Sequence, residues 1–332
     1  MKAICVTENR NLELRTVSCP SSPPSGYLNV KIAAAAINHG DKTFLKLPAS
    51  KVSSGTRLEN VWGASAAGTV TEVGANVPST YLGRKVAIYR GLRPNDPVLG
   101  LWCETAQVPY ETCLPLPDHV DAKDYSGSLV NVVTAYAFLE QATAEGHRGI
   151  IVTAGSSATG RALTILGRRR GIPIIVIVRS QEAKEEVLKS GIEVERVLSS
   201  SHPDFIRDLQ QMAQDLGTTA VFDGVGGSLI SKMLAALPTQ SSISFYGSLS
   251  GTEKVEFPST ILIMKDLTMR RFSNFNSATV KERLGDMLKD LEGCIDDPTF
   301  RTSLGKDFQL EEIVNAMKYE EGSKKAVLVF SK

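Results

Sequence analysis

The chain has 332 residues, of which 42% are hydrophobic and 22% charged, with a formal net charge of +1. That length suits two domains, the composition suits a packed core, and the balanced charge excludes a strong field for nucleic acid or a membrane surface. No apolar run reaches the ~18 residues that cross a bilayer, and the start, "MKAICVTENRNLELR", has no apolar leader core, so a cytoplasmic location is expected.

Residues 1–120 read as short strands. "YLNVKIAAAAIN" and "AAGTVTEVG" are apolar runs separated by turns, "SCPSSPPSG" is a loop, and "LGRKVAIY" continues the pattern. Many short strands punctuated by Gly and Pro predict an irregular barrel. Cys5, Cys19, Cys103, Cys113 and Cys294 include no Cys-x-x-Cys pair, which argues against a clustered zinc site and for a reducing compartment.

The period then changes. "GIIVTAG" (149–155) predicts a buried strand, and "SATGRALTILGRRRG" a helix with Ala158, Ala162, Ile165 and Leu166 on one face. Strand "IPIIVIVRS", helix "QEAKEEVLKSG", strand "VERVLSS", helix "DFIRDLQQMAQDLG" and strand "TAVFDGVGG" follow, then a helix-like "SLISKMLAALP" and strand "SSISFYGS". Alternation at this spacing predicts a parallel, doubly wound sheet. Strand "LTMRRF" would be its exposed last edge, and pairing two such edges predicts a homodimer. A polar helix near 278–292 and strand "KKAVLVF" end the chain, the tail rejoining the first domain.

The turn at 155–160 decides the chemistry. A nucleophile elbow needs G-x-S-x-G with later Asp and His partners. Here Gly155-Ser156-Ser157-Ala158-Thr159-Gly160 is one residue too long, and His202 is the single later histidine. A strand that turns at a glycine into a helix instead presents backbone N–H groups to a pyrophosphate. G-x-S-x-x-G is a weak match to the dinucleotide fingerprint alone and a strong one within this βαβ context. An NAD site would put an acid at the end of the next strand. Arg179 stands there, with Ser180 beside it and Lys184 beyond, which suits the 2′-phosphate of NADPH.

These features resemble the medium-chain dehydrogenase/reductase superfamily over nearly the whole chain. Within it they resemble the zinc-free quinone oxidoreductase and 2-enoyl thioester reductase branch. The resemblance implies an α/β fold: a doubly wound Rossmann nucleotide domain (125–272) plus an irregular β-rich, GroES-like catalytic domain (1–124 and 273–332). "AAINHGD" resembles the family's A-x-x-I-N-x-x-D segment and implies Asn38 and Asp41 at the substrate cleft. In "WGASAAGTV", Ala64 and Ser65 replace the His-Glu of zinc alcohol dehydrogenases, so no metal is expected. "NVVTAY" implies Asn131 at the cofactor and Thr134 near the nicotinamide. "FYGSLSG" implies Tyr246, Gly247 and Ser248 at the same end. "ILIMKDLTMRRFSNF" implies Phe272, Ser273 and Asn274 beside the carboxamide, and "KKAVLVF" implies Lys325 at the cofactor. Val225, in "TAVFDGVGG", completes the cofactor set. Without the resemblance, Tyr246 and Phe272 read equally as core aromatics and Lys325 as an exposed lysine.

The expected activity is hydride transfer from NADPH to the double bond of a small quinone, enone or enoyl substrate. Asn38 is a candidate donor to the developing enolate oxygen. The enoyl reductases carry a tyrosine where this chain reads "FLKLPASKVSSG" (44–55), so the proton donor is open, with Tyr81 and Tyr89 the phenols left to consider. An NADPH-binding sensor with little turnover and a zinc-free carbonyl reductase are the alternatives. The substrate pocket is expected on loops 44–62 and 89–101 and on the tail.

Overall fold

The computed structural model describes residues 1–46, 60–92, 100–191, 196–251 and 253–330. The chain divides into one unit of Met1–Asn131 with Arg283–Lys332 and another of Val132–Glu282. The first unit opens with an antiparallel pair, β1 (Lys2–Val6) and β2 (Leu12–Thr16). Then come β3 (Tyr27–Ala36), helix α1 (His39–Lys46), β4 (Ser65–Val73), β5 (Lys85–Tyr89), β6 (Thr105–Pro109) and β7 (Cys113–Pro115). β3 is the spine and pairs with both β4 and β6. Its buried side chains join Trp62 and Trp102 in the core of this unit.

The second unit begins within helix α2 (Leu129–Ala144), whose first three residues count with the first unit. Strand and helix then alternate: β8 (Ile150–Val152), α3 (Ala158–Arg169), β9 (Ile174–Val178), α4 (Gln181–Lys189), β10 (Val197–Ser199), α5 (Phe205–Leu216), β11 (Ala220–Asp223), α6 (Gly227–Met233), β12 (Ser242–Phe245), α7 (Ser259–Lys265), β13 (Thr268–Arg271) and α8 (Ala278–Glu282). Every pairing is parallel, in the order β10-β9-β8-β11-β12-β13. This is the doubly wound order, with its reversal between β8 and β11. Such sheets are covered on both faces, and all five residues of β9 are buried.

The tail returns to the first unit as α9 (Leu284–Glu292), β14 (Leu304–Phe308), α10 (Ile313–Lys318) and β15 (Lys325–Val329). β15 lies between β14 and β3 in the first unit's sheet. The helix expected near 278–292 is two helices, broken at Arg283, whose φ of −131° is not helical. Ala158, expected on the buried face of α3, is half-buried because it is that helix's first residue; burial begins with Thr159. Among the described residues no helix is long and apolar enough to cross a membrane.

Candidate functional site

The sequence turn at 155–160 becomes a tight corner at the end of β8. Ala154 sits at a φ of 51°, unusual for a residue with a side chain. The Gly155 amide donates to Ile177 O at 2.9 Å, and the Ser157 amide to Ala154 O at 2.9 Å. Ser157 is the N-cap of α3: its hydroxyl oxygen accepts from the Gly160 amide at 3.1 Å. Its oxygen thus serves as a helix cap, and no histidine or carboxylate that could activate it is bonded to it among the described residues. A Cβ on Gly160 would stand 2.7 Å from Ala154 O and 2.8 Å from Gly155 Cα, so the helix can start this close to the turn only with glycine there. Ser156, Ser157 and Ala158 remain half-buried, while Gly155, Thr159 and Gly160 are buried. The first amides of the helix have no carbonyl partner within it and carry partial positive charge.

Across the sheet's reversal point, β11 ends in a residue the sequence reading missed. Asp223 is fully buried. It accepts from the Thr153 hydroxyl at 2.5 Å, the Gly226 amide at 2.7 Å and the Val225 amide at 3.3 Å. Burial pushes its carboxyl up, and these three donors oppose that shift. An acid ahead of a Gly-rich turn was the available signal, in "FDGVGG". The loop after β12 is tied to this turn. Tyr246 N donates to Asp223 O at 2.8 Å, and Leu249 N and Ser250 N donate to the carbonyls of Gly224 and Val225 at 3.0 Å each.

Tyr246 stacks on Phe222 with ring centroids 4.0 Å apart, and Phe222 stacks on Phe138 at 4.0 Å. Phe272 meets Phe222 and Phe138 edge-on at 5.2 and 5.6 Å. The Tyr246 ring lies so close to Gly224 that a Cβ there would stand 2.6 Å from the hydroxyl. That hydroxyl reaches back beside Ser157, is buried, and makes no hydrogen bond of ordinary geometry. The Ser250 hydroxyl and Arg161 Nε are buried and unpartnered too. Arg161 lies in the first turn of α3, and burial pulls its guanidinium down. Tyr246→Phe is expected to raise the stability of the cofactor-free protein by about 1 kcal/mol, because a buried unpaired hydroxyl is lost. Thermal melting checks this; a lower Tm would show that the hydroxyl is paired in solution.

At the end of β9 the Arg179 side chain is exposed. Ser180 caps α4, accepting from the Ala183 amide at 3.3 Å, so its oxygen is committed. Lys184 is half-buried. The N-terminus of α6, by contrast, is filled by the chain itself: Glu253 accepts from the Ser228 amide at 3.1 Å and its hydroxyl at 2.9 Å. The start of α6 is therefore occupied by a carboxylate of the chain itself, and that of α3 by the Ser157 cap.

Two expected nicotinamide residues meet: Asn274 Nδ2 donates to Thr134 Oγ1 at 2.9 Å. Phe272 is buried in the aromatic group, Ser273 is half-buried beside it, and Ser248 spends its hydroxyl on Gly251 O at 2.9 Å. Gly247 packs on the backbone of Gly224.

Within the first unit, residues far apart in sequence form one polar cluster. Asn38 Nδ2 donates to Ser65 Oγ at 2.8 Å, and Asn38 Oδ1 accepts from the Lys325 ammonium and from Asn131 Nδ2. Asn131 also donates to Gly127 O at 2.6 Å. The buried Asp41 accepts from the Asn38 amide at 2.9 Å and the Ala64 amide at 3.1 Å. Burial pushes the Asp41 carboxyl up, against those amides and the charges of Arg90 and Lys325. Asp41 is thus a positioning residue, fixing the backbone at 38 and 64. Arg90 was not anticipated, and no motif or period marks it. Tyr89 is buried in β5, and Tyr81 packs edge-on against Tyr110 at 5.7 Å, its hydroxyl pushed up to about 12 by burial. Residues 47–59 and 93–99, which carry most of the expected pocket loops and of the segment lacking a tyrosine, lie outside the described residues. Among the described residues no group of three or more His, Cys, Asp or Glu could hold a metal ion.

Residues 24–118 match the alcohol dehydrogenase GroES-like domain, and residues 158–290 match the zinc-binding dehydrogenase family. The chain is 27% identical over 297 residues to a mitochondrial enoyl-[acyl-carrier-protein] reductase of Xenopus tropicalis, covering 84% of this chain and 79% of that one. It is 25% identical over 241 residues to a probable quinone oxidoreductase of Schizosaccharomyces pombe, covering 72% and 68%. A solved structure of a putative NADPH:quinone reductase from Mesorhizobium loti superposes with a TM-score of 0.75 at 24% identity, covering 99% of this chain and 98% of that one.

Proposed function

The chain belongs to the medium-chain dehydrogenase/reductase superfamily, and from that premise we propose that it is an NADPH-dependent reductase of quinones, enones or enoyl compounds that works without zinc. The observation that carries the reading is the glycine corner leading into α3, with the unpartnered Tyr246 hydroxyl beside its Ser157 cap and Arg179 at the end of β9. Buried polar atoms without partners fit a polar ligand that supplies them. The names of the curated relatives, a quinone oxidoreductase and an enoyl reductase, support the same reaction class.

In this reading the turn Gly155–Gly160 and Val225 hold the pyrophosphate, and Arg179 with Lys184 holds the 2′-phosphate. Within the second unit, Tyr246, Gly247, Ser248, Phe272, Ser273 and Asn274 border the nicotinamide end. NADPH, when bound, supplies the hydride. The chain's own residues orient the acceptor and stabilise the oxygen on which charge develops. Asn38 already donates to Ser65, so its amide is oriented, and the Lys325 ammonium on its oxygen brings positive charge to that point. Thr134 is fixed by Asn274. Solvent supplies the proton.

The test is the rate of NADPH and NADH oxidation with a quinone, an α,β-unsaturated ketone, a crotonyl thioester and a simple ketone. Turnover with a conjugated acceptor supports the proposal. Turnover confined to the simple ketone would make the protein a carbonyl reductase. Tight NADPH binding with no turnover would make it a sensor.

The same reading takes the protein as a homodimer paired through β13. This strand is the sheet's edge, and Ile263 and Met264 nearby are 77% and 78% exposed. Unpaired strand edges and bare apolar side chains favour a second copy. Light scattering is expected to give a dimer for the wild type and a monomer for Met264→Glu with Ile263→Glu. A wild-type monomer would end the idea.

A further inference from the structure

Arg90 is the first residue past β5, and its amide donates to Ala64 O at 3.1 Å. Tyr89 pairs with Ser65 across β4 and β5. Ala64 and Ser65 are the two residues that Asp41 and Asn38 grip, so the sheet delivers Arg90 to the cluster that also contains Lys325. The Arg90 side chain is half-buried, and desolvation pulls its guanidinium down, with Asp41 giving partial relief. Yet the side chain makes no hydrogen bond or ion pair among the described residues. Asp41 is felt through its charge but forms no ion pair with it among the described residues; its oxygens accept from the Asn38 and Ala64 amides. Of the charged side chains in the cluster, Arg90 and Lys325 outweigh Asp41 by one positive charge.

A half-buried, partly desolvated guanidinium whose donors meet no acceptor among the described residues favours a ligand that brings an anion. A planar fork matches two oxygens of one group. A neutral quinone or simple enone offers no such group. We propose that Arg90 recognises an anionic group on the acceptor, a carboxylate or a phosphate, with Lys325 adding charge from across Asn38. The substrate class is then an enone or enoyl compound that bears an acid. This rests on the reductase reading above.

The probes are 4-oxopent-2-enoate and its methyl ester, which share the enone and differ in charge. Arg90→Gln is expected to raise the KM for the acid about tenfold or more and to leave the ester within about twofold. Arg90→Lys keeps the charge and loses the fork, so it should recover part of the preference. An equal change for acid and ester, or none, overturns the proposal. In the wild type, added salt should raise the KM of the acid and spare the ester, a measurement that needs no variant to fold.

Calorimetric titration of 4-oxopentanoate and of inorganic phosphate, without NADPH, separates the two anions. Binding that depends on Arg90 identifies which one the site takes. No Arg90-dependent binding of either overturns the proposal. A protein that reduces neither enone yet binds one of these anions through Arg90 would fail the reductase reading and keep this one.

Discussion

Arg179→Ala is expected to raise the KM for NADPH by about tenfold to a hundredfold and to leave NADH within about twofold. The side chain is exposed at the end of β9, and the five core residues of that strand precede it, so its loss should cost the fold almost nothing. Ser180 is committed to capping α4 and has little to offer a ligand. In the proposed reading, the charge that distinguishes the two cofactors therefore rests on Arg179 and Lys184. Steady-state kinetics with both cofactors, alongside a thermal melt, decides the matter. An unchanged KM for NADPH would mean that the 2′-phosphate lies elsewhere, and a parallel rise for NADH would mean that the turn itself was damaged.

Asp223→Asn is expected to destabilise the protein by about 2–4 kcal/mol at acid to neutral pH. The carboxyl group receives a hydroxyl and two amides there, and both its oxygens still accept when it is protonated, whereas an asparagine would turn an NH₂ group toward one side of that set. The loss should depend on pH. The folded-state pKa of Asp223 is raised above its unfolded value, so its contribution is full below the ordinary carboxylate range and falls as pH rises through the folded value. The amide has no such dependence. The gap between wild type and variant should thus be wider near about pH 4 than near about pH 8, as read from urea unfolding at each. A gap that widens with pH would mean that Asp223 is stabilised as the anion.

The alternating half of the fold was legible because each strand from β8 to β13 is a short apolar run and most helices between them carry a polar face. The turn at Gly155–Gly160 was legible as a tight strand-to-helix corner, although the role of Ser157 as a cap emerged only with the Gly160 amide in place. Helix α2 left no periodic signal: "LVNVVTAYAFLEQATA" is apolar on nearly every side, which is how a helix reads when it is covered all round. The cluster around Asn38 was named residue by residue from the family resemblance. Its geometry was not legible, because Lys325 lies 287 positions away and only the pairing of β15 with β3 brings it back. Arg90 had no signal, since one arginine after a strand looks like any other until its surroundings are known.

The first unit is written in two pieces, with the whole of Val132–Glu282 between them. During synthesis the contiguous second unit leaves the ribosome entire and can close on itself. The first cannot, because β15 must still arrive between β14 and the far end of β3, where it pairs with Ala34, Ala35 and Ala36. Lys325 is the first residue of that strand. The charge beside Asn38 is therefore among the last parts to be made, and an interrupted chain would possess the parallel sheet of the second unit while lacking the ammonium that completes the Asn38 cluster of the first.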